Sequence, residues 1–208
     1  PDARMQLKGA VDMVSEALLG FSHADGPRLA RDLVFTRGRL LENLGEWDAV
    51  CLAQAEADYE QGLDLKGAEY ECSARGRAFG DLANTVSRTR SRSDKAIDGL
   101  FEDALGCLPS DSSHYERAVV LMNYAVFLNE RNDLEPALCQ ERALGHIDDA
   151  IAVLQGGHSA KLGRTQVAQA CAHLTRGNII RSRFYGDARR RLEASLDSYE
   201  EALRCLGD

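Results

Sequence analysis

One octapeptide written twice constrains this chain more than any other feature. FEDALGCL, from Phe101 to Leu108, returns as YEEALRCL, from Tyr199 to Leu206, keeping an aromatic residue, two acids, Ala, Leu, Cys and Leu in the same slots. A repeated unit buries its apolar face only against its neighbours, so two copies imply others. Three looser ones exist: VSEALLGF from Val14, YEQGLDLK from Tyr59 and IDDAIAVL from Ile147. Each opens on an apolar residue and has a small residue followed by Leu or Ile at its fourth and fifth positions. The starts at Val14, Tyr59, Phe101, Ile147 and Tyr199 mark a regular period with loops of variable length.

The period is helical. Leu192, Leu196, Tyr199, Leu203 and Leu206 form one apolar stripe at steps of three and four, and Ile97, Phe101, Ala104 and Leu108 repeat it; this predicts a buried packing seam. Strand-like alternation is absent, and 4 Pro, 6% aromatics and abundant Ala, Leu, Glu and Arg suit helices, whose straight side chains lose little entropy. A second helical segment precedes each later octapeptide. Two of these match, FTRGRLLENL from Phe35 and LTRGNIIRSR from Leu174, with Gly38 and Gly177 in equivalent places. Ala83 and Ala125 fill that place in the middle units, although Gly80 competes with Ala83. A glycine inside a helix costs up to about 1 kcal/mol of propensity and so marks close packing.

Boundary residues agree with that division. Ser113 with Glu116, Ser93-Asp94, and Asp133 ahead of Pro136 are expected helix starts, because their side-chain oxygens accept from unpaired N–H groups. Turns are expected at Gly45, at TRSRSDK from Thr89, from Pro109 to Ser112, at Asn132-Asp133, at QGGHSAKLG from Gln155, and at Tyr185-Gly186-Asp187. The expected fold is all-α: an initial helix over 4–21, then hairpins over about 27–66, 68–108, 113–154 and 163–206, together one domain spanning 1–208.

This paired-helix unit resembles the tetratricopeptide repeat. Gly38, Ala83, Ala125 and Gly177 match the small first-helix position, Tyr59, Phe101, Ile147 and Tyr199 the bulky second-helix one, and Gly62, Ala104, Ala150 and Ala202 the small residue three places on. The likeness covers nearly the whole chain. It departs in spacing, which exceeds the family's 34 residues, and in the customary Pro, present only as Pro109. Lengthened units such as Arg176 to Leu203 look most like repeats of bacterial regulatory proteins, including those preceding caspase-like CHAT proteases. The resemblance implies a right-handed α-solenoid of stacked antiparallel hairpins whose concave surface is lined by first helices. It places Arg39, Asn43, Asn84, Arg88, Asn129, Asn178 and Arg181 on or near that surface, where Asn and Arg suit peptide backbone or carboxylates. The family's chaperone-tail clamp is not expected, since Phe35, Met122 and Leu174 fall among its equivalent positions.

Composition narrows the functional classes. A net charge of −8 disfavours a dedicated nucleic-acid binder. No stretch approaches the apolar length of a membrane span, and no signal sequence opens the chain; the expected setting is the cytoplasm, without a membrane partner. Six scattered cysteines, without CxxC spacing, are expected to be buried free thiols rather than metal ligands or disulfides. GGHSAKLG from Gly156 lacks the GK[ST] ending of a phosphate loop, and HExxH, GxSxG and GxGxxG do not occur. His23, His114, His146, His158 and His173 pair with no cysteine in a local signature, and Cys171 and His173 face different sides of a helix. The arginine clusters Arg88, Arg90, Arg92 with Lys95, and Arg189, Arg190, Arg191, are read as solvated turns, the alternative being docking of an acidic peptide, a domain or nucleic acid.

The expectation is therefore a non-enzymatic binding module, without cofactor or metal, that recognises a protein segment or a neighbouring domain. The alternatives are a regulatory region of a caspase-like protease and a nucleic-acid sensor using the arginine turns. VSEALLGF belongs to a second helix, yet little chain precedes it and the sequence opens Pro-Asp. The expected origin is a longer array or multidomain protein, with a capping helix as the alternative.

Overall fold

In the computed structural model, residues 2–20, 26–65, 71–109, 114–131, 134–156, 162–183 and 185–207 are described. The helix starts expected at Ser113 and Asp133, residues 157–161 of the phosphate-loop lookalike, and His23 and His158 lie outside them. Among the described residues there are nine α-helices and no strand: α1 Ala3–Leu19, α2 Pro27–Leu44, α3 Ala49–Asp64, α4 Cys72–Thr89, α5 Asp94–Cys107, α6 His114–Asn129, α7 Pro136–Gly156, α8 Leu162–Ser182 and α9 Ala188–Leu206. They form two compact units, Pro1–Cys107 and Leu108–Asp208.

Short polar side chains start the helices. Asp2 accepts from the Arg4 amide at 3.2 Å, Asp48 from Val50 at 3.1 Å, and Asp187 from both Arg189 and Arg190, at 2.8 and 3.1 Å. Ser93 opens α5 as expected, its Oγ lying 3.4 Å from the Ala96 amide. Each oxygen pairs an N–H that the first helical turn leaves without a partner. The α4–α5 turn bends at Arg90, which is left-handed at φ 53°, and the α8–α9 turn at Gly186, at φ 87°.

In the first unit each helix packs on its neighbour in sequence, and α2 also touches α4. The α2–α3 pair is antiparallel: Phe35, Gly38 and Gly45 along α2 meet Gly62, Tyr59 and Leu52 in reverse order along α3. Gly38 lets this happen, since a Cβ there would stand 3.0 Å from the Tyr59 ring. In the second unit α6, α7, α8 and α9 pack in sequence, and α6 also touches α8. Gly177 receives the Tyr199 ring as Gly38 receives Tyr59. The middle hairpins fill the same slots with Ala83 and Phe101, and with Ala125 and Ile147, all fully buried. Helix-period patterning thus yields, among the described residues, all-α units whose helices pack on their neighbours and bury the small and bulky slots between them.

Two expectations about burial need correction. Only Cys139 is buried; Cys72 and Cys171 are exposed and the other three are half-buried, so most of the thiols lie outside the core. The stripe read along α9 is not a buried seam either. Leu192, Leu196, Leu203 and Leu206 are all exposed, while Ser195, Ser198 and Ala202 meet the interior. The α8 contact takes small residues here: Ser195 Oγ donates to the Gly177 carbonyl at 3.0 Å, which a leucine would block.

Candidate functional site

Arg37 and Arg176, one place before Gly38 and Gly177, turn towards their second helices. Arg37 clasps the buried Asp58, the residue before Tyr59, at 2.8 and 2.7 Å, and this hydrogen bond raises its pKa. Arg176 donates to Ser198, the residue before Tyr199, at 3.0 Å and also to Asp148 of α7 at 2.7 Å. The Arg-Gly dipeptide therefore works as a bracket between paired helices. The sequence carried this signal in the shared TRG, of which only the glycine was read.

Beside that bracket, α2, α3 and α4 share a polar network between α2 and α4, with Tyr59 fully buried and Arg39 exposed at its rim. Arg39 donates to Asp81 at 2.9 Å. Glu42 accepts from Asn84 at 2.6 Å and from the Tyr59 hydroxyl at 2.9 Å, with Arg88 at 3.8 Å. Burial raises the Glu42 pKa, helped by the nearby Asp81 carboxylate and opposed by the Asn84 and Tyr59 hydrogen bonds. Burial likewise raises that of Asp81, against the pull of Arg39. The Tyr59 hydroxyl is pushed far up, first by burial and then by Glu42. Burial works against the Arg39 charge, but Asp81 outweighs it. Next to the network runs a groove of about 240 Å³ lined by Asp32, Phe35, Thr36, Arg39, Ala74 and Arg77.

Three of the seven residues expected on a binding surface, Arg39, Asn84 and Arg88, thus lie together in the first unit, each already engaged by a carboxylate. Asn43 is exposed at the end of α2. In the second unit, Asn129 accepts from Ser182 at 3.1 Å, joining α6 to α8, and Asn178 accepts from the Tyr199 hydroxyl at 2.9 Å. Arg181 is exposed on α8. The carboxylates that organise the face, Glu42 and Asp81, escaped the sequence reading; Asp81 lies one turn from Asn84 on α4, but Glu42 of α2 joins them only once α2 and α4 are packed.

The arginine turn between α4 and α5 is paired as well. Arg90 meets Asp94 at 3.3 Å, and Arg92 reaches across to Glu56 at 3.4 Å and to Glu60 of α3. At the start of α9, Arg189 pairs with Glu193 at 2.9 Å. Among the described residues, no group of three or more His, Cys, Asp and Glu is placed to hold a metal ion, and no helix is long and apolar enough to cross a membrane. No protein-family model, no curated protein and no solved structure matches this chain. The described residues define an all-α protein whose helices pack on their neighbours within each of two units.

Proposed function

We propose that the chain is a non-enzymatic protein-binding module: a tetratricopeptide-like, right-handed solenoid of helix hairpins that holds an extended segment of a partner, or of a neighbouring domain, along its first helices. The α2–α4 polar face carries this reading. Its Arg39 and Asn84 are held in place by Asp81 and Glu42 beside a groove open to solvent. An extended peptide presents an unpaired N–H and C=O at nearly every residue, and polar side chains already fixed in position lose little further entropy in meeting them. The mixed charge of the groove, with Asp32 near Arg39 and Arg77, suits a polar segment rather than a polyanion.

Selection of a displayed library of unstructured peptides on the chain tests this. The expected result is a family of binders in the micromolar range whose affinity falls about tenfold or more in Arg39→Ala, the loss of a charge-assisted contact. An empty selection, or binders indifferent to both Arg39→Ala and Arg77→Ala, overturns it.

A further inference from the structure

The α4–α5 hairpin brings together two cysteines that stand far apart in the chain. Cys72 is the first residue of α4 and Cys107 the last of α5, and residues 90–93 alone join the two helices. So short a connection makes the helices antiparallel neighbours and sets the start of one beside the end of the other. The side chains meet there: the Cys107 thiol is hydrogen-bonded to that of Cys72. Cys72 is exposed and Cys107 half-buried, so solvent reaches the pair from the Cys72 side. Burial pushes the Cys107 thiol up, the contact with Cys72 adds to this, and Arg75 pulls the other way. The repeat does not by itself account for the pair. Cys205 fills the Cys107 slot of the last hairpin, but, aligned on Ala83 and Gly177, the place of Cys72 is taken there by Gln166.

We propose that Cys72 and Cys107 form a reversible redox site, which closes an intramolecular disulfide across the open end of the α4–α5 hairpin by exchange with a low-molecular-weight disulfide. The exchange runs in two steps. The thiolate form of Cys72 attacks one sulfur of the small disulfide, whose S–S bond breaks to release one thiolate and leave a mixed disulfide on Cys72. Cys107 Sγ then attacks Cys72 Sγ and displaces the second small thiolate. Two protein S–H bonds give way to one S–S bond, the small disulfide is reduced to two thiols, and these take up both protons. Exposure decides the roles: Cys72 meets the reagent, and Cys107, already in contact with it, resolves the mixed disulfide. Both residues sit at helix ends, where the backbone yields most readily to the geometry that an S–S bond demands. The bridge pins the start of α4, whose Ala74 and Arg77 line the α2–α4 groove. It stands whether or not that groove holds a peptide.

The test equilibrates the whole chain with graded mixtures of glutathione and glutathione disulfide, traps the remaining thiols by alkylation and maps the peptides without reduction. The expected product is a monomer lighter by two hydrogens, in which the peptides of Cys72 and Cys107 are joined and from which dithiothreitol restores both thiols. The effective concentration of one thiol for the other should be at least about tenfold higher in the folded chain than in urea, because the fold holds the pair in contact. The bridged chain should accordingly unfold at higher urea than the reduced one. In Cys107→Ser the glutathione adduct on Cys72 is expected to accumulate, since nothing resolves it. Should that variant lose helicity by circular dichroism, the peptide map and the urea comparison of the parent chain decide alone. A map without the Cys72–Cys107 peptide, a bridge formed as readily in urea as in the fold, or cross-linked dimers in place of the lighter monomer overturns the proposal. None of these readouts involves a peptide ligand, so this reading and that of the α2–α4 face can fail separately.

Discussion

Glycines sort by what a methyl group would meet. At Gly177 a Cβ would enter the space of the Tyr199 ring, whose hydroxyl is held by Asn178, while at Gly145, within α7, nothing lies within 4 Å. Gly177→Ala is therefore expected to destabilise by about 1–3 kcal/mol through overpacking, despite its better helix propensity. Gly145→Ala should stabilise by up to about 1 kcal/mol. Urea denaturation of the two variants gives the signs, and equal signs would remove the close-packing role assigned to Gly177. Glu42 offers a second residue-scale test. Its pKa, like that of Asp81, is raised in the fold, so the folded state binds more protons than the unfolded one, and stability falls as pH rises from the ordinary carboxylate range through the folded pKa. Glu42→Gln keeps a partner for Asn84 and Tyr59 but removes its share of that slope. Relative to the Gln variant, the parent should gain stability as pH drops towards the ordinary carboxylate range. Parallel melting curves across that range would contradict the burial of a costly charge at Glu42.

At the scale of elements, the Arg37–Asp58 bracket carries more than the surface pairs. Asp58 is 5% exposed, so Arg37→Ala leaves a carboxylate buried without its main partner, at about 2–3 kcal/mol. Arg189, exposed and paired within one helix, should cost at most about 0.5 kcal/mol when truncated. Chemical denaturation of the two variants compares them directly. Helix α1 is the weakest element, since none of its described residues is buried and Met5, Met13 and Leu19 all face solvent. Its amides should exchange hydrogen well before those of α2, which buries Ala30, Val34, Phe35 and Leu41. Exchange at equal rates in both helices would show that something else protects α1.

For the whole molecule, charge sets the expectation. A net −8, with Arg90 and Arg92 neutralised by Asp94, Glu56 and Glu60, leaves little to neutralise phosphates. Fluorescence anisotropy with duplex DNA and single-stranded RNA at about 0.15 M salt should show no binding; saturable binding with a steep salt slope would restore the arginine turns as a nucleic-acid surface.

The helical period, the turn residues and the small-against-bulky slots at Gly38 with Tyr59 and Gly177 with Tyr199 were legible in the linear order of residues, because helix periodicity and close packing depend on spacing along one chain. Burial across elements was not. Leu203 and Ile151 occupy the same slot of two copies of the octapeptide, yet one faces water and the other is buried, since burial is set by which elements lie next to it in space. The α2–α4 site divides in the same way. Arg39, Asn84 and Arg88 could be singled out by residue type, but their capture by Asp81 and Glu42 depends on the packing of α2 against α4, which brings together residues about forty positions apart.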